Sequence, residues 1–352
     1  MPVAIKPFGT TPDGRSARLI ELTNDAGMVA GITDLGACLA TLRVPDAHGG
    51  LPDVVLGWNG ADGYGVNDEN MGAIVGRHVN RIDRARFELD GIEYQLTPTE
   101  MGNSLHSGPD KWLHRLWGVE FAGEKDGCAQ VTFTLHSLDG DQGFPGAVGV
   151  RVTYTLTTDA LELTLEATPD ARTIINLTSH AYFNLNGHAS GDTLGHVLSI
   201  DADTFLPARS DYVPTGEMLP VDGTPMDFRT PKAVGTDIDA DYPLLRATDG
   251  YDHGYVLGEP GTMRHAARLV GEKSGVVMDV LTDEPGMQLY SSNQLDIASA
   301  KDGASYGKYA AICLETQFHP DSIHHPEWPQ PVFGPDDPYL FHTTFRFGVA
   351  KA

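Results

Sequence analysis

The chain has 352 residues, 41% hydrophobic and 20% charged, an ordinary globular composition long enough to bury a large core. Its 48 acidic against 24 basic side chains give a formal net charge of −24, which argues against nucleic acid, anionic membrane surfaces and phosphorylated ligands. A neutral small molecule is the ligand that such a field leaves open.

Turn formers are abundant, with 40 Gly and 23 Pro, and between them lie short segments of period-two alternation, the mark of strands with one buried face. Strands are expected from about Arg18 onward. Phe87–Leu89, then Asp90-Gly91, then Ile92–Leu96 reads as a hairpin, because Asp-Gly suits the tight turn that matches strand twist. Val131–Leu135 alternates. Val150, Val152, Tyr154 and Leu156 share one face, as do Leu161, Leu163, Leu165 and Ala167, with Thr158-Asp159-Ala160 as the loop between them. Val276–Leu281 and Phe341–Phe347 supply further strands. No segment predicts a helix longer than two or three turns, and no linker-like tract divides the chain. The reading is all-β: one domain over residues 1–352, two packed antiparallel sheets with few short helices and long loops on which function sits.

Cys38, Cys128 and Cys313 are too few and too scattered for a disulfide framework or a zinc cluster, and free thiols imply a reducing compartment. The N-terminal MPVAIKPFGT lacks a long apolar run, and no window approaches a membrane span, so the cytoplasm is the expected location.

Six polar clusters interrupt the β pattern. They are Gly76–Ile82 with Asn80 and Arg81, Asn103–Gly108 with His106, and Ile174–Leu185 with His180 and Tyr182. The remaining three are Tyr251–Tyr255 with Asp252, Gly286–Asn293 with Gln288, and Ala311–Gln317 with Glu315. An imidazole titrates near neutrality and can both give and take a proton. A carboxylate ending an apolar strand, as Glu315 does, risks desolvation, which raises its pKa toward that of a neutral-pH base. Each cluster taken alone is equally compatible with a solvated loop or a hydrogen-bonded core residue. His319, His324 and His325 lack the spacing of helical metal ligands and read as a histidine-rich surface loop; no metal is expected. There is also no GxGxxG after a strand and no Walker lysine, so no nucleotide cofactor is expected.

In order along nearly the whole chain, from Asp53-Val-Val-Leu-Gly57 to Phe347, these motifs resemble the aldose 1-epimerase (galactose mutarotase) family: Asn80-Arg81-Ile82, Asn103-Ser-Leu-His106, the stretch from Asn176 to Leu185, Asp252-His253, Met287-Gln-Leu-Tyr290 and Cys313-Leu-Glu-Thr-Gln317. The resemblance implies a β-supersandwich and a cofactor-independent isomerase acting on a free sugar such as glucose or galactose. It implies that His180 protonates the ring oxygen and that Glu315 takes the proton from the anomeric hydroxyl. His106 would assist at the ring oxygen or stabilise developing charge. Asn80, Arg81, Tyr182, Asp252 and Gln288, together with His106, would hold sugar hydroxyls or line the pocket. The sequence departs from the family pattern at Met71, His78, Pro109–Arg115, Phe318-His319 and Ile323–His325, changes expected around the pocket rim, where they bear on the preferred sugar. A monomer or homodimer is expected. A glycoside hydrolase using two carboxylates such as Asp252 and Glu315, a non-catalytic sugar-binding domain and a sugar-phosphate epimerase are the alternatives.

Overall fold

The alternation read from the sequence sets the strands. In a computed structural model, which describes residues 1–66 and 68–350, the strand Val148–Leu156 buries Val148, Val150, Val152, Tyr154 and Leu156 and turns Gly149 and Arg151 to solvent. It pairs antiparallel with Ala160–Pro169, Val152 opposite Leu165 and Tyr154 opposite Leu163, so the two strands offer one apolar face to the same side. The Arg86–Leu89 and Ile92–Gln95 hairpin closes through Asp90 and Gly91 with φ of 54° and 79°, the left-handed pair that its tight turn needs.

These strands assemble into three principal sheets. The largest has nine strands in the spatial order Gly118–Lys125, Cys128–Ser137, Val148–Leu156, Ala160–Pro169, Tyr339–Val349, Val276–Thr282, Arg264–Val270, Val197–Ile200 and Lys232–Ala233. A four-stranded sheet runs in chain order through Val3–Thr10, Ser16–Thr23, Val29–Thr33 and Leu39–Arg43. A five-stranded sheet has the order Leu219–Pro220, Thr204–Phe205, Asp252–Val256, Gly286–Tyr290 and Cys313–Gln317. One continuous core joins Val131, Phe133, Leu163 and Phe345 of the large sheet to Ile20 and Ile32 of the four-stranded sheet and to Met287, Leu289 and Leu314 of the five-stranded sheet. The fold is therefore a sandwich in which one large sheet is covered by two smaller ones rather than by a single second sheet.

The first strand begins at Val3, ahead of Arg18 where the sequence reading starts. It lies on the edge of its sheet with most positions exposed, so it carries no apolar alternation to read. Among the described residues the α-helices are Ala61–Val66 and Pro243–Thr248, six residues each, and none is long and apolar enough to cross a membrane. The three cysteines are free thiols, Cys38 and Cys313 buried and Cys128 partly so.

The histidine run after Glu315 is a surface loop only in its second half, where His324 is exposed and His325 half-buried; its first histidine lies inside. His319 is 1% exposed. The Asn176 side chain accepts from the Phe318 N–H at 2.9 Å and donates to the Phe318 carbonyl at 3.1 Å, and the Asp321 N–H donates to the Arg81 carbonyl, which together draw the segment inward. Asp321 Oδ1 lies 2.6 Å from His324 Nδ1, Asp321 Oδ2 lies 3.7 Å from His325 Nε2, and the Trp328 ring covers His325. His324 and His325 thus turn a ring nitrogen toward a carboxylate of their own loop, whereas His319 Nε2 has no protein partner.

Candidate active site

The edge strand Cys313–Gln317 is buried at all five positions, yet its two faces differ in chemistry. Leu314 and Thr316 pair across the sheet with Leu289 and Met287 and face the core. On the opposite face the register places Glu315 beside Gln288, and Cys313 beside Tyr290, which is itself beside Asp252. A period-two strand therefore delivers a carboxylate to one side while its alternate residues anchor it on the other.

The facing wall comes from two short strand pairs. Thr178–Ser179 pairs with Ile74–Val75, and the His180 N–H donates to the Ala73 carbonyl while the His180 carbonyl accepts from Gly72, which fixes that backbone at both polar groups. Arg81–Ile82 pairs with Ser104–Leu105, bringing Asn80 and Arg81 beside His106. The cleft between these walls is lined by Asn80, Arg81, His106, His180, Tyr182, Asp252 and Glu315, together with Glu100, Lys111, Tyr290 and others. Its volume is about 120 Å³, roughly ten times the room that one water molecule needs.

His180 and Glu315 meet across the cleft, Nε2 to Oε1 at 3.7 Å. That separation is too long for a direct hydrogen bond and leaves room for a ligand oxygen at hydrogen-bonding distance from both. Glu315 Oε2 and His180 Nδ1 have no protein partner. Burial, with the charge of Asp252 adding and Arg81 opposing, pushes Glu315 up to about 8. Burial brings His180 down to about 4. His180 stacks on the Tyr182 ring with centroids 5.0 Å apart and meets His106 edge-on at 5.3 Å. Burial, then the neighbouring His180, holds His106 well below its usual value, so it stays neutral. The Asn80 N–H donates to His106 Nδ1 at 3.2 Å, which places the ring proton on Nε2 and makes His106 a fixed hydrogen-bond donor.

Arg81 is held from several sides. Its guanidinium donates twice to Glu100, at 2.5 and 3.2 Å, lies 3.7 Å from Asp252 Oδ2, and packs over the Tyr212 ring at 4.7 Å. Burial works against its charge, but Asp252 and Glu100 outweigh it and the net shift is upward. Gln288 Nε2 donates to Asp252 Oδ1 at 2.6 Å, so Gln288 braces a cleft carboxylate. The Tyr182 hydroxyl donates to the Glu69 carbonyl.

The structure brings all eight sequence-derived site residues into this one region, with Gln288 acting through Asp252. Sequence reasoning missed Glu100 and Tyr212. Glu100 stands three residues before Asn103 in a loop without periodicity, and its value comes only from meeting Arg81. Of the departures from the family pattern, Lys111 does line the cleft, whereas Met71 and His78 are buried in the interior. Among the described residues, His180, Cys313 and Glu315 have ligand atoms within 4.8 Å of one another. Burial pushes the Cys313 thiol well up and Glu315 up to about 8.

A β-sandwich with an imidazole and a carboxyl facing each other across a polar cleft, backed by braced hydrogen-bonding groups, defines an acid–base enzyme for a polyhydroxylated ligand. The family model described as aldose 1-epimerase matches residues 18–346. The chain is 37% identical over 345 residues to the galactose mutarotase of Mus musculus, covering 97% of this chain and 98% of that protein. It is 37% identical over 340 residues to the aldose 1-epimerase of Escherichia coli, covering 96% of each. A solved aldose epimerase homologue from C. elegans superposes with a TM-score of 0.87 at 30% identity, over 95% of this chain and all (100%) of that one. The galactose 1-epimerase from Lactobacillus acidophilus shares the fold with a TM-score of 0.87 at 24% identity, covering 100% of both chains. The chain belongs to the aldose 1-epimerase family.

Proposed function

We propose that this chain, an isomerase of the mutarotase type, interconverts the α and β anomers of free neutral hexoses such as glucose and galactose, with His180 and Glu315 as its acid–base pair. The observation that carries the reading is the 3.7 Å approach of His180 Nε2 to Glu315 Oε1 in a cleft walled by braced polar groups. Anomer exchange removes a proton from O1 and delivers one to O5 as the C1–O5 bond breaks. The open-chain aldehyde then turns about C1–C2, O5 attacks the other carbonyl face, and both protons return. No electrons change owner.

Two buried groups of opposite charge type can divide their protons in two ways. With His180 lowered to about 4 and Glu315 raised to about 8, each is neutral near pH 7 and each carries one transferable proton. An imidazolium facing a carboxylate contains the same two protons. A single transfer through the intervening sugar oxygen converts one arrangement into the other, so the pair can open the ring from either state and swap roles on reclosure. The fixed His106 Nε2–H supplies a hydrogen bond to charge developing on an oxygen, and Arg81, Asp252 and Asn80 orient the hydroxyls. The lack of an unpaired cation at Arg81, together with the net charge of −24, favours neutral sugars over their phosphates. The free thiols fit a reducing compartment, and the cytoplasm is the location that we propose.

Polarimetry on freshly dissolved α-glucose, α-galactose, xylose and arabinose tests this reading. Acceleration of at least one anomerisation, with no reducing sugar released from glycosides, is expected. Sugar binding with only the spontaneous rate would overturn it in favour of a binding domain.

A further inference from the structure

We propose that His180, Cys313 and Glu315 form a binding site for one thiophilic divalent cation, zinc or cadmium, which takes the place of the sugar in the cleft and inhibits the enzyme. The inhibition rests on the acid–base assignment of His180 and Glu315; the binding of the cation does not. Cys313 and Glu315 stand two residues apart on one strand and so share its cleft-side face. His180 comes to them from the opposite wall, its backbone held by the Ala73 carbonyl and the Gly72 N–H. One ligand atom from each of the three lies within 4.8 Å of the other two, and all three residues are buried.

The spacing is that of a tetrahedral metal site slightly opened. Zinc bonds of about 2.3 Å to sulfur and about 2.0–2.2 Å to nitrogen and oxygen put neighbouring ligand atoms roughly 3.3–3.7 Å apart. His180 Nε2 and Glu315 Oε1 are already 3.7 Å apart. Closing the sulfur onto them takes a movement of about 1 Å at most. The fourth position is left to water. A thiolate, an imidazole and one carboxylate are a donor set that selects zinc or cadmium over magnesium and calcium, which prefer oxygen throughout.

The protein leaves these groups open to such a ligand. Glu315 is 2% exposed, yet its Oε2 has no protein partner. Cys313 is a free thiol in an apolar cluster with Tyr182 and Met71. Burial keeps the proton on that thiol, and a bound dication is the local charge that removes it. As the bonds form, the thiol proton and any proton on Glu315 leave for solvent, the neutral imidazole donates a lone pair, and no atom changes oxidation state. The net charge of −24 draws dications toward the chain. With both proton carriers committed to the metal, neither can serve O1 or O5, and the cation fills the position that a sugar oxygen takes between Nε2 and Oε1.

Zinc chloride and cadmium chloride, added to the wild type and to Cys313→Ser in a buffer free of chelator and phosphate, decide the matter. Cadmium should bind the wild type with an ultraviolet sulfur-to-cadmium charge-transfer band, and an excess of a sugar that the enzyme turns over should bleach it. Zinc should inhibit mutarotation, followed by polarimetry, by raising the apparent KM. EDTA should restore the rate, and magnesium at the same concentration should have no effect. Cys313→Ser, compared with its own metal-free rate, should need at least about tenfold more zinc for half-inhibition, since losing a ligand costs more than losing a group that supports one. It should also lose the cadmium band, although Cys38 and Cys128 remain. Absence of the band in the wild type, a band without inhibition, or equal zinc sensitivity of the two proteins overturns the site. Should the serine variant not fold, the wild type still decides, because a band indifferent to saturating sugar overturns the site as well. A band with no sugar turned over in metal-free buffer instead overturns the mutarotase assignment.

Discussion

The strands Val148–Leu156 and Cys313–Gln317 are both β and both antiparallel, yet they do different work. The first alternates between core and solvent, so its burial pattern and its chemistry coincide. The second is buried throughout, and only the identity of its side chains distinguishes the face that packs from the face that turns Glu315 to the cleft. The contrast shows how a buried carboxyl of raised pKa is made from an ordinary strand. Leu314 behind Glu315 supplies the anchoring, and exclusion of water on the other face supplies the shifted acidity.

The contrast is broken most forcefully at the reactive face. Glu315→Gln or His180→Asn should lower kcat at least ~100-fold in polarimetry while the protein still unfolds in one cooperative transition. Near-wild-type turnover in either variant would remove that residue from the chemistry. Arg81→Ala should reduce kcat/KM by about tenfold or more, chiefly through KM, because the residue orients rather than transfers protons. An unchanged KM would sink its assignment. Leu163→Ala, in the alternating sheet, should cost about 2–5 kcal/mol in urea unfolding with kcat preserved. Leu314→Ala should cost a similar amount but also slow turnover about tenfold, since it loosens the support of Glu315. If the two leucine variants behaved alike in rate, the two strands would not differ as described.

The last effect is one of pH. Glu315 is raised from 4.5 to about 8, so between those values the folded chain holds a proton that the unfolded chain has released. The wild type must therefore lose stability relative to Glu315→Gln as pH rises from about 5 to 8. Melting temperatures of the two proteins across that range should diverge in this sense, and parallel curves would contradict the buried acid.

Much of the fold could be read in advance because half-buried strands alternate, as Val148–Leu156, Ala160–Pro169 and Tyr339–Val349 do. Val3–Thr10 could not, since an exposed edge strand has no face to reveal. The division of the second layer into two sheets also left no trace, because period-two patterning says which face is buried but not what buries it. At the site, His180, Glu315, His106 and Asp252 stood out as titratable groups within ordered motifs. Glu100 and Tyr212 did not, because each matters only through its contact with Arg81, and such meetings are properties of the tertiary fold. The burial of His319 was hidden for the same reason: it depends on the Asn176 amide clamping a backbone far along the chain.

The enclosure of Arg81 by Glu100, Asp252 and Tyr212 has a practical consequence. A guanidinium already engaged by two carboxylates has little residual positive field to offer a free anion. Phosphate, sulfate or chloride in the assay medium should therefore compete poorly for the cleft. The encounter of an uncharged substrate with the enzyme should likewise be nearly indifferent to ionic strength, despite the heavily acidic exterior of the protein.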